Sequence, residues 1–176
     1  EYGRSYQYVD SAFPPGDASI GDTATNAQVL GWRCSPGIVD EVHLFSNGSD
    51  PNDVCQGIFD NQWLLSAISM IAASGGGGDN GKIVKCISDI FIGHLGVDGE
   101  LTHNTEVGGF CLRLFKKGMW VPVVVDDLLP MLLRDNWTND NRGIAGAHAN
   151  ECSSIWVSLI EKAVAKFYGS YGELNR

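Results

Sequence analysis

Positive charge is scarce in this sequence: 12 Lys and Arg stand against 21 Asp and Glu, for a formal net charge of -9. Nucleic acids and anionic membrane surfaces are gripped by clustered cations, so neither is an expected partner. No apolar run approaches the roughly 20 residues that a membrane-crossing helix needs, and no charged-then-apolar leader opens the chain, so neither spanning nor secretion is expected. Without a secretory route, Asn47-Gly-Ser49 and Asn136-Trp-Thr138 read as chance matches to the glycosylation pattern. Cysteine is sparse and odd in number: Cys34, Cys55, Cys86, Cys111 and Cys152 form no CxxC pair and no Cys–His spacing. They read as reduced, mostly buried thiols and exclude a zinc site or a disulfide framework. His43, His94, His103 and His148 also lack metal spacing and are expected at the surface or in loops. Met is missing from position 1, where Glu1 stands, which reads as a processed product or part of a longer polypeptide.

What is present suits one globular domain. The 176 residues are 44% hydrophobic and 10% aromatic, enough for one real core and too few for two. Residues 1–30 have weak periodicity and the turn-forming Phe13-Pro-Pro-Gly-Asp17, and are expected as an extended arm before a domain over 31–176. Leu64, Leu65, Ile68, Ile71 and Ala72 recur at helical steps, predicting a buried helix capped by Asp60 or Asn61. Gly75 to Gly78 break it, and Ile83, Val84, Ile87, Ile90 and Phe91 predict a second helix over Lys82–Ile92, followed by a loop from Gly93 to Glu106. Gly109–Phe115 and Met119–Val125, joined at Lys116-Lys-Gly118, predict an antiparallel hairpin. Asp126 and Asp127 follow it; adjacent strand residues face opposite ways, so the pair is expected to end the strand and not to converge on a metal or proton. Met131 to Asn150 reads as an irregular excursion. Ile155, Trp156, Leu159, Ile160, Ala163 and Phe167 form one helical face, with Ser153 or Ser154 as cap and Gly169 as stop.

Several of these stretches carry a family likeness. Asp53-Val-Cys-Gln-Gly-Ile-Phe-Asp-Asn-Gln-Trp-Leu-Leu65 resembles the active-site segment of the calpains, papain-like cysteine proteases, matching at Asp53, Cys55, Gln56, Gly57, Trp63, Leu64 and Leu65. Trp120-Val-Pro-Val-Val-Val-Asp-Asp-Leu-Leu-Pro130 and the helix from Ile155 to its Gly169-Ser-Tyr171 exit are similar to elements of the same family, as are Phe13-Pro-Pro15 and, loosely, Trp32-Arg-Cys-Ser-Pro-Gly-Ile38. The likeness runs from about Phe13 to Tyr171 and corresponds to the first protease-core subdomain. It implies an α+β fold with a central buried helix, a small antiparallel hairpin sheet and a long C-terminal helix.

The same resemblance assigns the site. The nucleophile position is Gln62, the oxyanion-hole position Gln56, and Cys55 falls on a supporting residue away from the positive helix end. Calcium in the family would be held by backbone carbonyls at Ser46 and Gly48, by Asp53 and by a Glu whose place is taken by Ser154, with Glu151 nearby but out of phase. A weak or lost calcium site and no other cofactor are expected. The family's His and Asn belong to a second subdomain beyond the Gly-Ser-Tyr exit, and the sequence ends at Arg176. The expectation is therefore a catalytically inactive module that binds other protein chains, or a second protease-core subdomain, around Gln56, Gln62 and Trp63. It would serve as a scaffold or regulatory piece of a cytoplasmic or cytoskeletal assembly, cilia and flagella being places where such degenerate modules occur. The alternative is a calcium-dependent cysteine endopeptidase of which this chain is one half; a third reading is a cleft that holds extended peptides uncut.

Overall fold

The fold rests on two helices that are buried for different reasons. Helix α2 (Gln62–Ala73) is amphipathic: Leu64, Leu65, Ile68 and Ala72 face the core, while Trp63, Met70 and Ile71 remain exposed. Helix α4 (Trp156–Tyr168) is buried on every side from Trp156 to Ala165, so the core wraps round it. Gly169 ends it with φ 117°, a backbone conformation that a side chain would strain. Residues 7–21, 28–38, 42–46, 48–74, 83–95, 101–102, 107–132, 143–150 and 153–175 are described in this computed structural model.

Alternating residues make strands β5 (Gly109–Lys116) and β6 (Met119–Asp126), joined by a tight turn with Lys117 at φ 50° and Gly118 at φ 82°. They lie in an antiparallel four-stranded sheet of order β4-β3-β5-β6, with β3 at Phe91–Leu95 and β4 at Leu101–Thr102. Two further ladders tie distant segments together: β1 (Val29–Cys34) with β7 (Leu128–Leu132), and β2 (Val54–Cys55) with β8 (His148–Ala149). The fold is thus α+β, with small antiparallel sheets around a central helix and a long C-terminal helix.

The hairpin and the C-terminal helix emerge where the sequence predicts them, but the second helix does not. Only one turn forms, α3 (Lys85–Ser88), and Phe91–Leu95 is strand β3. Ile83, Val84, Ile90 and Ile92 are β-branched and tolerate either state, and pairing of Phe91 with Leu112 on β5 decides for the sheet. Likewise, part of the expected loop from Gly93 is sheet, and His148 is a buried member of β8 and not a surface residue. Among the thiols, Cys111 is buried, Cys34 and Cys55 are half-buried and Cys86 is exposed, all unbridged; Cys152 lies outside the described residues. No helix among the described residues is long and apolar enough to cross a membrane.

The N-terminal segment runs along this core with one short helix, α1 (Asp17–Ile20), and buries Phe13 and Ile20. Buried charges hold it there. The Asp10 amide donates to Asp126 at 2.7 Å, the Lys166 ammonium pairs with Asp10 at 2.6 Å, and Asp126 also takes the fully buried Lys162. Asp127 instead accepts from Gln7 at 2.9 Å and from Ser35. The two carboxylates therefore serve separate partners at the end of β6. Burial pulls the Lys162 amine below its usual range, and the Asp126 charge opposes that pull.

Candidate functional site

The mouth of α2 is shaped by a close backbone crossing. Gly57 sits so tightly on the segment before β8 that a Cβ there would lie 2.0 Å from the Ala145 carbonyl oxygen and 2.4 Å from that of Gly146. Only glycine fits, and the contact is sealed by the Ile58 amide donating to Ala145 at 2.8 Å. Phe59 then turns inward and stacks on Tyr171 with ring centroids 4.5 Å apart. The chain next reaches Asn61, the N-cap residue, whose carbonyl accepts from the Leu64 and Leu65 amides at 2.9 and 3.3 Å.

Asn61 does not cap with its side chain. Its amide nitrogen donates to Glu161 Oε1 on α4 at 2.6 Å, and the Ala147 amide donates to Glu161 Oε2 at 2.8 Å. One buried carboxylate thus joins α2, α4 and the segment before β8. Gly146 admits it, since a Cβ there would stand 2.3 Å from Glu161 Oε2. Burial raises the Glu161 carboxyl to about 7, against the pull of its two donors. Asn61 Oδ1 and the Tyr171 hydroxyl are buried with no hydrogen-bond partner among the described residues, and burial, then the nearby Glu161 charge, push the Tyr171 phenol upward. Sequence reading missed this brace. Its one local signal was a Glu placed between Ile160 and Ala163 on an otherwise apolar helical face.

The residues assigned by resemblance gather in front of that brace. Gln62 is exposed at the first position of α2, where backbone N–H groups and the helix dipole present positive potential. Gln56 is exposed just after β2, its side-chain amide donating to the Phe59 carbonyl at 3.1 Å. Trp63 is half-exposed and donates from its indole to the Leu174 carbonyl at 2.9 Å, while the Asp60 amide donates to Asn175 Oδ1 at 3.1 Å. The C-terminal turn therefore edges the mouth of α2. Cys55 lies behind it on β2, in register with His148. The carboxamide of Gln62 is itself no ionisable nucleophile.

The four calcium-site positions are only partly brought together. Ser46 and Ser154 meet directly, the Ser46 amide donating to Ser154 Oγ at 2.7 Å, and Ser153 Oγ donates to Ser46 Oγ at 2.9 Å. Gly48 is buried with φ 89°, and Asp53 closes a turn after Asp50, its carbonyl accepting from the Asn150 amide at 2.9 Å. Calcium wants six to eight oxygens. Of these four residues only Asp53 brings a carboxylate, and the Ser154 hydroxyl already serves a backbone amide. That donor set does not fit a tight calcium site. Ser154 was also a candidate cap for α4, but Ile155 occupies the N-cap position without a side-chain bond because Ser154 turns to Ser46. Glu151 lies outside the described residues.

Comparison with known proteins agrees with this geometry. The family description "Calpain family cysteine protease" matches residues 8–176. Calpain-5 of Caenorhabditis elegans is 32% identical over 171 residues, covering 97% of this chain and 24% of that protein. The calpain-type cysteine protease DEK1 of Arabidopsis thaliana is 32% identical over 181 residues, 96% of this chain and 7% of its own length. The human calpain-1 catalytic subunit is 29% identical over 173 residues, covering 96% and 21%. The chain spans a quarter or less of the length of the curated relatives it matches.

Proposed function

The chain belongs to the calpain family of cysteine proteases, and from that premise we propose that it is a non-cleaving member that works by holding a protein partner at the mouth of α2. The observation that carries this reading is Gln62 at the first position of the central helix, where the family likeness puts the nucleophilic cysteine. That position sits in a closely packed frame formed by the Gly57 crossing, the buried Phe59, the N-cap Asn61 and the Glu161 brace. A mouth that is braced but carries an amide for a thiol is suited to polar contact, not to acyl transfer. Gln56, Gln62 and Trp63 are its exposed contacts, and an exposed Trp beside polar amides is the side-chain mix that anchors protein interfaces.

The partner we propose is another protein chain or a second protease-core subdomain, in a scaffold or regulatory role within a cytoplasmic, cytoskeletal or ciliary assembly. Calcium plays at most a weak part, because one carboxylate and an engaged serine hydroxyl replace a fuller ligand set. A peptidase assay on the full polypeptide, with and without calcium and a thiol alkylator, tests the reading. No turnover under any condition is expected. Calcium-dependent turnover blocked by alkylation would establish the rival, an active calcium-dependent endopeptidase.

A further inference from the structure

A second surface, separate from the α2 mouth, lies at the tip of the β5–β6 hairpin. Register pairs Phe115 with Trp120 and Arg113 with Pro122, so these four side chains share one face of the two strands. Phe115 is 62% exposed and Trp120 57% exposed, their rings edge-to-face at 5.2 Å, and Pro122 is exposed beside them. The Arg113 guanidinium lies over the Trp120 ring at 4.8 Å. On the opposite face Lys116 packs against the end of α4, its ammonium 4.3 Å from the Phe167 ring centroid and 5.0 Å from that of Tyr168, with Met119 exposed beside it. One face of the tip is thus seated on the protein, and the other leaves an aromatic pair in solvent.

Charge marks out what fits there. From Val107 to Val125 the sequence has no Asp or Glu and three cations, Arg113, Lys116 and Lys117, none of them in an ion pair with a described residue. Outside this segment nine basic residues face 21 acidic ones. We propose that the open face of the hairpin tip is a docking site for an acidic segment of another protein that carries an aromatic or aliphatic side chain beside its carboxylates. Carboxylates would meet Arg113 on that face and Lys117 in the turn, with Lys116 on the opposite face adding to the positive potential of the tip, and the apolar side chain would cover Phe115 and Trp120; aromatic residues and Arg are the usual anchors of such contacts. An extended segment touches the cationic tip alone, whereas an anionic bilayer would also meet the acidic body. A second copy docked tip to tip would bring like charges together.

The test is fluorescence anisotropy of the protein with a short labelled peptide of Asp and Glu interrupted by Phe and Leu. Saturable binding is expected, weakened at least about tenfold by Lys116→Glu/Lys117→Glu and, independently, by Phe115→Ser/Trp120→Ser, and weakened by salt as the Debye length shortens. Both doubles are at exposed positions, and unchanged thermal melting checks that they fold. Absence of saturable binding, or wild-type affinity in either double, overturns the proposal. So does hairpin-dependent binding to phosphatidylserine vesicles in place of the peptide, or a concentration-dependent dimer that Trp120→Ser abolishes. The proposal uses no property of Gln62, so its failure leaves the reading of the α2 mouth standing.

Discussion

Replacing Glu161 by Gln should change how stability depends on pH more than it changes stability itself. The carboxyl has an ordinary value of 4.5 and is raised to about 7 in the folded protein. Between those values the folded state holds a proton that the unfolded state has released, so stability falls as pH rises from about 4.5 to about 7 and is flat for this group beyond. At about 1.4 kcal/mol per unit, the span corresponds to about 3 kcal/mol. The structure explains why the neutral form is tolerated. Asn61 donates to Glu161 Oε1 at 2.6 Å while its own Oδ1 is unpartnered; if the Asn61 amide turns over, a protonated Glu161 or a glutamine amide can donate to that oxygen. The Ala147 amide keeps its acceptor in both cases. Urea unfolding of wild type and Glu161→Gln at a series of pH values gives the difference directly. Relative to wild type, Glu161→Gln should gain about 3 kcal/mol between pH 4.5 and 7. A difference that stays constant across that range would refute the account of the brace.

Two other outcomes follow from the geometry. Gly57→Ala drives a methyl into two backbone carbonyls, so it should cost about 3–5 kcal/mol and lower the melting temperature by about 10 °C, while Gly31→Ala, with open space around it, should stay within about 0.5 kcal/mol of wild type. Calcium titration calorimetry should show no binding at low micromolar concentration, because Asp53 is the one carboxylate among Ser46, Gly48, Asp53 and Ser154; a clear isotherm there would restore a functional calcium site.

Elements with their own periodicity were legible in the sequence: α2 from Leu64, Leu65 and Ile68, α4 from Trp156, Leu159 and Ile160, and the hairpin from its alternation about Lys116-Lys-Gly118. Elements defined by long-range pairing were not. Val54–Cys55 becomes a strand only because His148–Ala149 lies beside it, and Phe91–Leu95 leaves its helical pattern because β5 offers a ladder. The site divides in the same way. Gln62 and Gln56 could be placed from the pattern of Asp53 to Leu65, whereas the Asn61–Glu161 bond joins residues 100 apart and no local spacing announces it. The place of Gln62 at the start of α2 was therefore legible before the brace that keeps this helix mouth in shape was visible.

The central claim is that this braced mouth no longer cuts. Hydrolysis of a fluorogenic peptide or of casein by the full polypeptide tests it most directly, measured with calcium, with chelator, and after iodoacetamide. Rates equal to buffer in all three are the expected result. Turnover that appears with calcium and disappears on alkylation would contradict it.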